Sequence, residues 1–184
     1  MRVSREKAAE SREKIVEAAS RLFRDHGFDG VGVDAIMKEA GLTHGGFYGH
    51  FGSKDDLAAE AITMALARGT ETMSRFTDLP SYVEAYLSDR HCAERAKGCG
   101  LAALAADAAR EGQAVRAALT SYVGVRLEGI AGLFRHGTAA SRRKRAVATL
   151  SGLVGALTLA RAVDDPELSK EILVAARETF GKAA

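Results

Sequence analysis

Residues 33–54, VDAIMKEAGLTHGGFYGHFGSK, hold this part of the chain to two short helices joined by a glycine turn, with a lysine directly after. Val33, Ile36, Met37 and Ala40 recur at helical spacing and give the first helix one apolar face. Gly41 stands where the chain must leave that helix, a position that favours left-handed backbone. Leu42 is placed to fill the angle between the helices, and Thr43 is a good N-cap for the second. In that second helix Phe47 and Phe51 lie four apart and face inward, while His44 and Tyr48, also four apart, fall on another face and point to solvent. A short helix with apolar residues on one side and His, Tyr and Gly on the other is what a helix-turn-helix sets into the major groove of DNA.

The rest of the chain reads as helices too. A first helix is expected over residues 5–26, where Ile15, Ala18, Ala19, Leu22 and Phe23 form a stripe and Gly27 ends it. Helices over 33–40 and 43–51 follow. Ser53 caps a fourth helix reaching to about residue 76, with Asp55 and Asp56 in its first turn, where the helix dipole favours acids. Further helices are expected over 81–90, 101–110, 113–135, 141–163 and 166–180. The chain has only two prolines and no long alternating run of β-branched or aromatic residues, so the fold class is all-α, with about nine helices. We divide it into a helix-turn-helix domain, residues 1–54, and a larger helical body for ligand sensing and dimerisation, residues 55–184.

Composition excludes several classes. No segment is apolar for long enough to span a bilayer, and the charged start MRVSREKAAE lacks the apolar core of a signal peptide, so a cytoplasmic protein without a membrane partner is expected. Net charge is +2, which announces no nucleic-acid partner by itself. Bases do cluster early, at Arg2, Arg5, Lys7, Arg12 and Lys14. Two readings stand for them: an arm lying along phosphates, or a solvated first helix with i,i+4 ion pairs. Cys92 and Cys99, with His91 adjacent to the former, lack the usual CxxC metal spacing, and plain packing is the better reading; no metal and no cofactor is expected. His26, His44, His50, His91 and His136 are scattered, with no nucleophile elbow and no phosphate-cradling glycine loop, so catalysis is not expected.

Residues 15–23 (IVEAASRLF), Gly27 and Phe28, 33–36, 40–43, 47–51 and 53–57 together resemble the DNA-binding domain of the TetR/AcrR-type bacterial transcriptional regulators. The resemblance covers roughly the first third of the chain; beyond it the likeness is one of helical character and length. It implies a homodimer on inverted-repeat double-stranded DNA, acting as a repressor whose body senses a small molecule. The candidate DNA contacts are Thr43, His44, Gly45, Gly46, Tyr48, His50 and Lys54. His44 suits a base edge. Tyr48, His50 and Lys54 suit phosphates, and in the resembling family the matching tyrosine, histidine and lysine are backbone contacts. Val31 and Gly32 depart from the family, which usually offers a Thr or Ser hydroxyl to phosphate before the second helix.

In the body, residues 146–163 are apolar nearly all round, and a helix of that kind must be covered on every side. Paired with the stripe of the last helix, it makes a four-helix dimer interface, for which Leu150, Val154, Leu157, Leu168, Ile172 and Phe180 are the candidates. Met64, Tyr82, Tyr86, Tyr122 and Phe134 are candidates to line a pocket for a small, largely apolar effector, though as plain core residues they need no further explanation. The rival reading is a dimeric helical ligand-binding or scaffold protein without specific DNA binding.

Overall fold

The computed structural model describes residues 5–182, and Arg2 of the early basic cluster lies outside them. Among the described residues the chain is all helix. Nine α-helices are α1 (Arg5–His26), α2 (Val33–Glu39), α3 (Lys54–Met73), α4 (Leu79–Tyr86), α5 (Asp89–Ala93), α6 (Gly100–Ala108), α7 (Gln113–Gly132), α8 (Ala139–Ala162) and α9 (Pro166–Phe180). Two short 3-10 helices join them, His44–Gly49 and Arg95–Lys97.

Helix ends follow local chemistry. α1 closes at Gly27 with φ 77° and α2 at Gly41 with φ 71°. At the latter, the Leu42 N–H bonds the Met37 carbonyl at 2.9 Å and the Gly41 N–H bonds that of Lys38 at 3.0 Å, the paired bonds of a Schellman stop. Ser53 caps α3, accepting the Asp56 N–H at 3.1 Å, and Asp165 caps α9 ahead of Pro166. Two expectations about caps and lengths change. Asp78, not Ser81, opens α4, because its carboxylate takes the Ser81 N–H at 2.8 Å and Pro80 fits the first turn. The expected helix over 81–90 then breaks at Leu87 into α4 and α5, the second capped by Ser88.

The head is not a separate globule. α1 lies against both α3 and α6, and its core residues Ile15, Ala19 and Phe23 belong to one apolar cluster that continues into the body. Polar ties cross the same boundary. The Ser20 hydroxyl donates to the Ala61 carbonyl at 3.0 Å. Arg12 forks onto Glu60, Nη1 to Oε2 at 2.6 Å, and stacks 4.6 Å over the Phe51 ring. Arg12 is therefore turned toward α3, and Arg5, Lys7 and Lys14 sit within α1. The described residues of the cluster thus lie in a helix, and of them Arg12 pairs with another helix through Glu60.

In the body, α3 and α7 run against each other, and α8 lies on both α7 and α9. Leu150 and Leu157, read above as interface residues, instead point into the protomer's own core; Leu157 is 0% exposed. Helical phase explains it: the positions three to four apart that include 146, 150, 153 and 157 face α7 and α9. The apolar surface left open lies beside them, at Val147, Leu159 (58% exposed) and Leu168 (42% exposed), with Val154 and Ile172 half-buried. Phe180 lies within the protomer against Gly152, where a Cβ would fall 2.0 Å from the ring.

Candidate nucleic-acid interface and body cavity

The head presents its second short element as a 3-10 turn, not the α-helix that was expected. Gly45, Gly46 and Gly49 account for this, since each is disfavoured in an α-helix by about 1 kcal/mol relative to Ala. Two aromatic anchors fix the turn from below. Phe47 and Phe51 are both buried, and their rings stack at 5.7 Å. Tyr48 stands out above them, 69% exposed, edge-on to Phe47 and 6.4 Å from the His44 ring.

The three glycines are not demanded by the fold. None has a positive φ. A Cβ on Gly45 or Gly49 would meet nothing within 4 Å, and on Gly46 only the Met37 methyl at 3.6 Å. The structure thus holds an open strip of backbone at its surface, between the exposed His44 and Tyr48 side chains, that the protein's own packing does not require.

The other candidates are placed around this strip. Thr43 is exposed and its hydroxyl makes no cap bond, contrary to expectation, so it stays available outward. His44 is held by the Asp34 carboxylate through Nδ1. That contact assigns a proton to Nδ1 and leaves Nε2 as the outward ring atom. His50 is half-buried at the end of the turn. Lys54 is less free than its sequence suggested: its ammonium donates to the Phe28 carbonyl at 2.5 Å and lies 5.9 Å from the Phe23 ring. One of its three donors is engaged and the others remain.

A cavity of about 870 Å³ lies where α1, α3, α4, α5 and α7 meet. Tyr82, Tyr86 and Tyr122 line it, as the sequence suggested. Met64 and Phe134 do not. Phe134 is buried elsewhere under the Arg145 guanidinium, 4.0 Å from its ring, and Met64 is packed against the apolar cluster on the part of α3 nearer the head. The sequence reading also missed the polar residues here, because arginines on α1 and α7 look like surface charge until tertiary contacts bury them. Arg24 and Arg126 line the cavity and are buried, as is Cys99. Arg24 donates to the Ala96 carbonyl at 2.8 Å and to Ser20 at 3.1 Å, and Arg126 donates to the Gly69 carbonyl at 3.0 Å and to the Tyr82 hydroxyl. Burial pushes the Tyr82, Tyr86 and Tyr122 hydroxyls well above the ordinary phenol range, so all three stay protonated. The expected apolar lining is thus corrected: aromatic walls carry buried cations.

His91, also in the lining, has a structural task. Nδ1 meets the Tyr86 carbonyl at 2.5 Å, and Nε2 accepts the Cys99 N–H at 3.1 Å, which fixes a neutral ring protonated at Nδ1. Burial lowers its pKa below the ordinary histidine value, and the nearby Arg161 and Arg126 add to that. Both ring nitrogens being used, His91 ties the segment around Cys99 to α4 rather than serving Cys92 and Cys99 as a metal ligand.

The fold and these two sites define an all-helical chain with a surface helix-turn-helix and a cavity-bearing body. Known proteins agree with that class. The sequence profile of the bacterial regulatory proteins, TetR family, matches residues 15–61. The HTH-type transcriptional regulator LmrA of Bacillus subtilis is 34% identical over 118 residues, covering 59% of this chain and 63% of that protein. The HTH-type transcriptional repressor AcnR of Corynebacterium efficiens is 35% identical over 69 residues, covering 38% of this chain and 37% of that protein. The chain therefore spans less than two thirds of the length of these relatives in the matched regions. The crystal structure of a TetR-family transcriptional regulator from Cytophaga hutchinsonii shares the fold, with a TM-score of 0.77 at 18% identity over 98% of this chain and 96% of that one. Residues 15–61 thus match the TetR-family profile, and the chain shares the fold of TetR-family regulators.

Proposed function

We propose that this protein is a homodimeric, sequence-specific DNA-binding repressor, released from an inverted-repeat operator by a small molecule held in the body cavity. The observation that carries the DNA-binding half is the strip of glycine backbone at 45, 46 and 49, which has room for side chains that the sequence omits. Backbone left bare at an exposed surface permits close approach of a partner, and phosphate-lined groove walls are such a partner. Thr43, Tyr48, His50 and Lys54 surround it as phosphate-contact candidates. His44, with Nδ1 held by Asp34, offers Nε2 to a base edge.

A twofold dimer is supported by the exposed apolar residues of α8 and α9, Val147, Leu159 and Leu168. The two heads then read half-sites whose centres lie roughly 34–36 Å apart, or a multiple of that. Ligand control follows from the position of the cavity. α1 contributes Glu17, Arg21 and Arg24 to its wall, and α3 contributes residues from Ala65 to Phe76 beyond its end. A ligand with different affinity for two arrangements of α1 against α3 shifts the spacing of the heads, and only by that difference.

Footprinting on DNA upstream of the protein's own gene tests the reading. A protected palindrome with steep salt dependence is expected, and uniform weak binding to all DNA would overturn it. Within the footprint, Lys54→Ala should weaken binding on every sequence and lower the salt slope by about one unit. His44→Ala should relax base preference at one position per half-site. Effector control is tested by titrating the operator complex with small molecules that raise the melting temperature. By reciprocity, a compound that releases DNA must bind less tightly when operator is present.

A further inference from the structure

The charges around the cavity do not balance. Its acidic residues, Glu17, Glu71 and Glu94, are each paired with an arginine: Arg68 at 2.7 Å, Arg75 at 3.5 Å and Arg90 at 3.3 Å. Among the described residues, Arg24 and Arg126 have no carboxylate within ion-pair distance, although each is only 5% exposed. Both guanidiniums stay charged at any pH a cell meets. Charged side chains are almost never this deeply buried without a counter-charge, because desolvation outweighs neutral hydrogen bonds. Arg126 goes further. Nη1 and Nη2 serve Gly69 and Tyr82, but Nε is buried with no acceptor among the described residues. Beside it the Tyr86 hydroxyl, next to the Cys99 thiol, also makes no hydrogen bond of good geometry.

We propose that the cavity takes an organic monoanion, a carboxylate on a flat apolar body, with the carboxylate seated at Arg126. This deepens the effector reading above and rests on it. Arg126 supplies the counter-charge and its unused Nε–H, and the Tyr86 hydroxyl supplies a second donor. The apolar body lies among Tyr82, Tyr122, Phe76 and Met73, all of which face the cavity. The volume of about 870 Å³ suits a drug-sized ligand and exceeds what a bare inorganic anion needs. Arg24, carried by α1, adds a second uncompensated cation on the head side of the same space. An anion drawn toward both guanidiniums pulls on α1 and α7 together, whereas a neutral ligand has no such purchase.

The test compares acids with their neutral isosteres on the intact protein. The probes are benzoate, 3-phenylpropionate, 2-naphthoate and octanoate, against the matching primary amides. Three of the four tyrosines line the cavity and the chain has no tryptophan, so tyrosine fluorescence reports occupancy directly. Melting temperature gives a second readout. At least one acid should bind about tenfold or more tighter than its amide. Arg126→Met should weaken that acid by about 10- to 100-fold, the worth of a charged hydrogen bond, and weaken the amide by less. Should Arg126→Met fail to fold, Arg126→Lys keeps the charge without the fork and should give an intermediate loss; the acid–amide comparison needs no variant at all. Amides that bind as well as acids, no binding by any acid, or an Arg126→Met protein that keeps full acid affinity would each overturn the proposal. Operator release is read separately. Acids that bind but leave the operator complex intact support the anion seat and sink the regulatory reading. Amides that release DNA as well as the acids do have the opposite effect.

Discussion

The head and the body both carry donors that the protein itself does not use, yet the two cases mean different things. In the head, Thr43 and Tyr48 face water, and an unpaired polar group there costs almost nothing because solvent satisfies it. Their exposure is therefore permissive, and the functional signal comes from the glycines between them, which the fold does not need. In the body, Arg126 is withdrawn from water, and an unsatisfied buried donor costs about 1–3 kcal/mol, more for a charged group. There the unused donor is itself the signal. A surface site is legible by what has been left out of it, and a buried site by what has been put in at a cost.

The largest expected effect tests where the body's apolar surface ends. Leu157→Glu places a carboxylate in a fully buried position and should abolish cooperative folding, whereas Leu159→Glu, at a 58% exposed position, should leave a folded monomer. Light scattering with circular dichroism separates the two. A folded, dimeric Leu159→Glu protein would move the interface off this face.

Next in size is Phe47→Ala, which removes the buried anchor of the head's 3-10 turn and should cost about 3–5 kcal/mol. Native-state hydrogen exchange then asks whether head and body are one unit. Because α1 shares its core with α3, protection should fall in α1 and α3 together. Loss confined to residues 33–51 would make the head an independent module.

Gly49→Ala is smaller and runs in opposite directions at the two levels. A Cβ there meets nothing within 4 Å, so stability should hold or rise by up to about 1 kcal/mol. Operator affinity should nevertheless fall, as a gel-shift titration would show. Unchanged affinity would return the bare backbone strip to mere chance.

The smallest effect is one of pH, and it belongs to the body. Burial lowers the pKa of His91 in the folded protein, so the unfolded chain binds its proton first as pH falls. Stability from this group is complete above the unfolded value of about 6.5 and declines as pH drops below it. Denaturant titrations between about pH 7.5 and 5 should show that slope, and His91→Gln should flatten it. Phe47→Ala, on another element than His91, should leave the slope in place.

The amino-acid sequence alone determined whatever depends on near neighbours. Apolar spacing fixed the all-helical class and the positions of α1, α2, α7, α8 and α9 to within a few residues. Gly41 fixed the turn of the head, since only the local backbone decides whether a left-handed residue is needed. Residues 43–54 could be read as a DNA-facing site because nearly all of it is contiguous, though three glycines made its helix a 3-10 turn. Two tie-ups escaped that reading, Lys54 with the Phe28 carbonyl and His44 with Asp34, because each partner stands on another element. Only tertiary structure decided the rest. Which side of α8 is open depends on how its phase sets against α7 and α9, and that phase turned Leu157 inward and Leu159 outward. Arg24 and Arg126 are ordinary helix-surface residues in one dimension. They become buried cations only because α1, α3, α4 and α7 converge on them, and burial depends on contacts far apart in the chain, which no local pattern encodes.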